Sequence, residues 1–303
     1  MTGKMGKGSI ALVCVCMLSA CGTVQGESTV SMEPLEAVSV SADADENVFS
    51  DSSLVDSTAV SNAAENASVV SNVAEEGEIS GNSCSEAVLA AMESGDFSAV
   101  PIADLPNCLA IDERDRQILL VIGDDTACTV GLFDRVDGDK GEWKEVLLTE
   151  GYVGSQGIGE AFEGSCRTPQ GLYHILSAFG NGEDPGSLLP FRKIEDQDYY
   201  VSDPNSPFYN KYVSRNETGD FDPSYGEHLI ECGDAYKYVL DFDYNSEGTP
   251  NAGSCFFIHC NIGRPTEGCI TVTEEMMVRL LQSVDENCAV FICDRQNLSE
   301  YIQ

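Results

Sequence analysis

Residues 254–281 read Ser254-Cys255-Phe256-Phe257-Ile258-His259-Cys260, then Asn261-Ile262-Gly263-Arg264-Pro265, then Thr266-Glu267-Gly268-Cys269-Ile270-Thr271-Val272, then Thr273 and Glu274-Glu275-Met276-Met277-Val278-Arg279-Leu280-Leu281. The first seven crowd aromatic and β-branched residues together with no turn former, which predicts a short strand. Asn, Gly and Pro then make a loop. Thr273 supplies a hydroxyl N-cap, two acids follow in the first turn, and strong helix formers continue, so a helix begins at Glu274. His259 therefore sits at the end of a strand, and Cys269 sits on a turn just before a helix.

That placement suits a nucleophile. A thiol attacks as thiolate, and a nearby imidazole can take its proton. Gly268 lets the backbone turn tightly before Cys269, and backbone N–H groups at such a turn would stabilise an oxyanion. The other reading makes Cys269 a half-cystine and His259 a hydrogen-bonded strand residue.

The stretch resembles the catalytic domain of the L,D-transpeptidase (YkuD-like) family, whose site is a His after a strand and a Ser/Thr-x-Gly-Cys turn. Here these are His259 and Thr266-Glu267-Gly268-Cys269. One branch of that family adds an upstream Arg-Thr-Pro-x-Gly segment, matched by Arg167-Thr168-Pro169-Gln170-Gly171 with Ala178-Phe179-Gly180 after it. An Asp-Pro-x-Ser-Pro-aromatic-Tyr-Asn segment follows as Asp203-Pro204-Asn205-Ser206-Pro207-Phe208-Tyr209-Asn210. The three motifs stand in the family's order, and the resemblance covers residues 116–293. The commonest family pattern has His before the Gly and Arg or Asn two places after the Cys; this chain has Glu267 and Thr271 there, and a shorter His-to-Cys spacing.

The resemblance implies a mainly β, sandwich or barrel-like domain acting without metal or organic cofactor. Cys269 is then the nucleophile, His259 the proton acceptor and donor, and Gly268 part of the oxyanion turn. The implied donor is a peptidoglycan stem tetrapeptide cut at the bond from an L-centre to D-Ala, and the implied acceptor is a side-chain amine, giving a cross-link between third residues. If water takes the acyl group, the enzyme is an L,D-carboxypeptidase or a cross-link hydrolase, a choice that Glu267 and Thr271 leave open. The alternative from another class is a non-catalytic, wall-binding lipoprotein, which would have no use for the Cys/His pair. Arg167, Arg264 and Thr271 are possible substrate contacts; structural ion pairs are the competing reading for the two arginines.

At the start of the chain, Lys4 and Lys7 precede an apolar run from Ile10 to Met17, too short to span a bilayer. Leu18-Ser19-Ala20-Cys21 follows and resembles a bacterial lipobox. Residues 1–20 are therefore expected to be a lipoprotein signal, with Cys21 the lipid attachment point and the mature protein held at the membrane outside the cytoplasm. Residues 21–80 are rich in Ser, Ala, Val, Asn and acids, contain no Lys or Arg, and read as a disordered tether. The chain of 303 residues carries 16 basic and 51 acidic side chains, a formal charge of −35. So acidic a chain repels nucleic acid and anionic membrane surfaces, leaving the lipid as the means of attachment.

Residues 81–107 predict a short helical prelude, with a Ser85 cap and a stop near Gly95. Cys84 and Cys108 flank it, with or without a bridge. Residues 108–303 are long enough for one well-buried core. Short strands are expected at 117–122, 129–134, 144–149, 172–176, 229–232, 236–242, 255–259 and 289–293, and one helix at 274–284. The run Gly154-Ser155-Gln156-Gly157-Ile158-Gly159 lacks the Lys-Ser/Thr and the helix of a phosphate loop. Of 13 cysteines, Cys14 and Cys16 fall in the signal, and Cys21 and Cys269 have assigned roles. The nine others cannot all pair within one chain. A zinc site at His259, Cys255, Cys260 and Cys269 is disfavoured because no Cys-x-x-Cys occurs and Cys255 and Cys260 differ in strand parity. His174 and His228 read as structural or surface residues.

Overall fold

The computed structural model describes residues 84–136, 142–218 and 221–302. The expected signal, the Cys21 lipid site and the tether lie outside the described residues. The strands in chain order are β1 Gln117–Asp124, β2 Ala127–Arg135, β3 Trp143–Tyr152, β4 Ile158–Gly159, β5 Thr168–Pro169, β6 Gly171–Gly180 and β7 Phe191–Lys193. They continue with β8 Asp198–Val201, β9 Tyr212–Ser214, β10 Gly226–His228, β11 Val239–Phe242, β12 Phe257–Cys260, β13 Ile270–Val272 and β14 Cys288–Asp294. The helices are α1 Glu86–Ser94, α2 Arg215–Thr218 and α3 Glu274–Leu281.

Nine strands form one sheet in the order β11-β12-β13-β3-β2-β1-β14-β6-β7, and β11 also pairs with β6. That extra pairing closes the sheet into a barrel, with β7 hanging outside the ring, which removes the edges an open sheet would expose. The mainly β, barrel-like expectation is met. Most neighbours are antiparallel, whereas β1–β14, β12–β13 and β6–β7 are parallel.

Strand β1 is apolar from Ile118 to Ile122 without alternation, and both of its faces are buried. Leu119 and Val121 point into the barrel with Val130, Leu132, Val290 and Ile292, while Ile118, Leu120 and Ile122 point outward under the N-terminal segment. Val88, Ala91, Phe97 and Leu105 complete that outer layer. The prelude is thus a cover for the barrel wall. Its helix begins at the expected cap, where Ser85 Oγ accepts from Val88 N–H at 3.4 Å, and it stops at Gly95 in the left-handed conformation. Cys84 and Cys108 are bridged, with Cα atoms 5.2 Å apart. α3 starts at the predicted Thr273 cap and buries Met277, Leu280 and Leu281 against the barrel interior cluster.

One expected strand is wrong. Residues 229–232 belong to a 3₁₀ segment, Leu229–Tyr236, interrupted at Gly233, where φ is +57°. Leu-Ile-Glu-Cys has strand-like composition, but Gly233 and the turn chemistry of Asp234 carry the chain around a corner. This segment and the small β10-β8-β9 sheet pack over the outer face of β11 and β12, making a third cluster around Phe257.

Candidate active site

Strands β12 and β13 run side by side and parallel, with His259 opposite Thr271. Ile258, Cys260, Ile270 and Val272 face the barrel interior. Alternation therefore sends Phe257, His259 and Thr271 to the outer face. Cys269, one residue ahead of β13, packs against the same outer cluster as Phe257 and Tyr236. Two consecutive strands, joined by one short loop, thus deliver His259 and Cys269 to one side of one strand pair.

The Cys269 sulfur is held by backbone. It accepts from Phe257 N–H at 3.4 Å and donates to Cys255 O at 3.2 Å. His259 is 5 % exposed. Its Nδ1 lies 3.0 Å from Cys260 O. A carbonyl only accepts, so the contact with Cys260 O places the hydrogen of the neutral ring on Nδ1 and the lone pair on Nε2. Burial pushes the His259 pKa down to about 4, against the carbonyls of Cys260 and Ala235, which favour the charged ring. At neutral pH the ring is a neutral base. The Tyr236 ring meets it edge-on at 5.2 Å between centroids, and the Tyr236 hydroxyl is tied to Glu227 at 2.5 Å. Burial, then Glu227 and Cys269, raise the Tyr236 phenol well above its usual range, so it stays protonated.

The turn before Cys269 is built from side-chain hydroxyls. Thr266 Oγ1 accepts from Gly268 N–H at 3.0 Å and donates to Cys269 O at 2.6 Å. Within the turn expected to serve an oxyanion, the Gly268 N–H is engaged by Thr266 Oγ1. The glycine is needed for shape. Its φ is +150°, and a Cβ there would run into the Phe256 ring and lie 3.1 Å from Arg167 O. Thr168, wholly buried, donates to Gly268 O at 2.7 Å and accepts from Gly154 N–H at 2.9 Å. The Arg-Thr-Pro segment thus clamps the turn that carries Cys269.

The second upstream motif supports the other side of the sulfur. Asn210 Oδ1 accepts from Cys255 N–H at 3.1 Å, and its amide donates to Tyr244 O and Asn245 O at 2.9 and 3.0 Å. Tyr209 and Ser254 both donate to Glu163, the latter at 2.7 Å. These bonds fix the Cys255–Phe257 backbone against which Cys269 rests.

The remaining expected contacts fare differently. Thr271 is completely buried and its hydroxyl has no partner, so it offers a ligand no surface. Arg167 points its guanidinium at Ile158 O, 3.4 Å away, and Arg264 is exposed on the loop after β12. Among the described residues neither forms an ion pair, contrary to the structural reading of both. His174 and His228 are structural, as expected: His174 bridges Asp115 and Asp243 at 3.3 and 3.6 Å, and His228 stacks on Tyr199. Among the described residues no cluster of His, Cys, Asp and Glu is arranged to hold a metal ion.

No protein-family model matches this sequence, and no curated protein matches it. Among solved structures the chain is similar to the helical cell shape determining protein Pgp2 from Campylobacter jejuni, at 13% identity and TM-score 0.34, over 69% of this chain and 59% of that one. It is also similar to an L,D-transpeptidase from Mycobacterium smegmatis, at 11% identity and TM-score 0.30, over 59% of this chain and 58% of that one. A third likeness, to an L,D-transpeptidase solved with imipenem, has 13% identity and TM-score 0.30, over 59% of each chain. The chain spans less than two thirds of the length of each. Likenesses this distant leave the site to be read from its own geometry.

Proposed function

We propose that the chain is a cell-envelope cysteine acyltransferase that acts on peptidoglycan stem peptides. The supporting observation is the delivery of Cys269 and a neutral His259 to the same outer face of the β12–β13 pair, with His259 Nδ1 occupied by Cys260 O. The substrate class rests on the three-motif resemblance. Localisation outside the cytoplasm and a lipid anchor at Cys21 rest on the N-terminal sequence. Among the described residues no helix is long and apolar enough to cross a membrane.

In the proposed cycle His259 Nε2 takes the Cys269 thiol proton as the sulfur attacks the peptide carbonyl. The tetrahedral intermediate collapses, the C–N bond breaks, and His259 returns the proton to the departing D-Ala amine. A thioester on Cys269 remains. An amine on a second stem attacks it, gives its proton to His259, and leaves with the acyl group while the thiol is restored. Phe257 N–H, already directed at the sulfur, would steady it as a leaving group.

The test is incubation of the protein with muropeptides, followed by mass spectrometry of protein and products. Dimers support transpeptidation, whereas shortened monomers assign carboxypeptidase activity instead. Cys269→Ala should form no acyl adduct while keeping the wild-type circular dichroism spectrum. An adduct on that variant refutes the assignment.

A further inference from the structure

On the same outer face as Cys269, a cleft of about 340 Å³ opens over the ends of β6 and β11. Its lining includes Tyr200, Asn210, Tyr212, Tyr244 and Asp241. Asp241 is 6 % exposed, yet it is an acid set in an apolar sheet. Among the described residues its one side-chain hydrogen-bond partner is Tyr200 Oη, 3.2 Å from Oδ2. Among the described residues it forms no ion pair. A buried carboxylate without a cation is costly, and proteins normally pair it or bind something to it. Lys211 lines the same cleft, but it is an exposed side chain and makes no such pair.

We propose that this cleft binds a primary ammonium on an alkyl arm, with Asp241 as the counter-ion. A monovalent cation of that shape meets the chemistry of the walls. The carboxylate supplies the charge, the aromatic rings supply faces for the alkyl stem and the cation, and Ser177 borders the opening with a hydroxyl. An anion would be repelled by Asp241. A divalent metal would want more oxygen ligands than one carboxylate offers. Burial holds the Asp241 pKa up at about 7, so an arriving ammonium also displaces a proton.

The position relative to the sulfur gives the cleft its meaning. Asp241 pairs with Phe257, and Val239 with His259, so the two rows are two residues apart, about 7 Å along the strands. A molecule attached through an ammonium here would lie along the face that carries His259 and Cys269. The inference concerns binding and holds whether or not the sulfur performs acyl transfer.

The test is calorimetric titration of the full chain with n-pentylammonium, and with 1-pentanol as its neutral counterpart. The wild type should bind the ammonium at least tenfold more tightly than the alcohol. Asp241→Asn, which keeps size and removes charge, should lose that preference. Tyr200→Phe should keep it, because the carboxylate remains. Lys211→Ala should keep or strengthen it, by removing a cation that can swing toward Asp241. Cys269→Ala should bind the ammonium as the wild type does, so failure here is separable from failure of the acyltransferase reading. Equal affinity for amine and alcohol in both wild type and Lys211→Ala, or an undiminished preference in a folded Asp241→Asn variant, overturns the proposal.

Discussion

Replacing Thr168 by Val tests whether the upstream motif holds the nucleophile's turn. Valine keeps the volume and the β-branch but loses the hydroxyl. Two buried backbone groups, Gly154 N–H and Gly268 C=O, then lose the partner they hold at 2.9 and 2.7 Å. Each orphaned group costs about 1–3 kcal/mol, so after local relaxation the variant should be less stable by about 3 kcal/mol. That is more than a hundredfold in the folding equilibrium, and it should lower the urea midpoint by about 1 M or more. The Cys269 turn also loses one of its two hydroxyl clamps, so acyl-enzyme formation should slow at least tenfold even at low temperature, where the variant stays folded. Thr168→Ser keeps the hydroxyl and should show less than half of the stability loss with near-normal acylation. A Thr168→Val variant with an unchanged urea midpoint and unchanged acylation would refute the clamp.

Two further outcomes are expected. Thr271→Val removes a buried hydroxyl that has no partner, so it should leave stability unchanged or raise it by about 1 kcal/mol in thermal melts; a loss above that would reveal a bond to the neighbouring His259 row. Because the His259 pKa is pushed down to about 4, the acid limb of acylation should fall near pH 4 and not near 6.5, and stability should decline as pH drops from 6.5 through 4, since the unfolded chain takes up the proton first.

The barrel wall was legible because burial on both faces leaves an unbroken apolar run, as at 118–122, and the helix start at Thr273 because caps are local chemistry. His259 and Cys269 were legible as a pair through motif order. The orienting group was not, because it is the backbone carbonyl of Cys260, and every residue has one. Thr168 and Asn210 lay inside motifs that the sequence marked, but their partners, Gly268 and Cys255, lie 100 and 45 residues away, a separation no local pattern encodes. The 3₁₀ segment at Leu229–Tyr236 was misread because short apolar runs carry no period long enough to separate strand from turn. Asp241 gave no signal at all: a single acid between apolar residues reads as alternation until the β11–β6 pairing buries it.

The surplus of cysteines sharpens the assignment of Cys269. At the location proposed above, outside the cytoplasm, every reactive thiol would be open to oxidation or mispairing. Burial raises the pKa of Cys128 and Cys293 to about 12 and of Cys260 to about 11, and pushes Cys255 and Cys288 well upward too. These five sit in the packed layers as small hydrophobes, inaccessible to a substrate and inert at neutral pH. Cys84 and Cys108 are bridged. That leaves Cys166, Cys232 and Cys269 as the part-exposed sulfurs of the described region. Cys232 contacts His228 O at 3.8 Å and Cys166 contacts Gly164 O at 3.7 Å, each within its own local turn. Cys232 packs against the same outer cluster from the Leu229–Tyr236 segment, whereas Cys269 leads directly into β13, the strand whose Thr271 lies opposite His259. A thiol probe should therefore be read in a Cys166→Ser, Cys232→Ser background, where rapid labelling that disappears with His259→Ala can come from one sulfur alone.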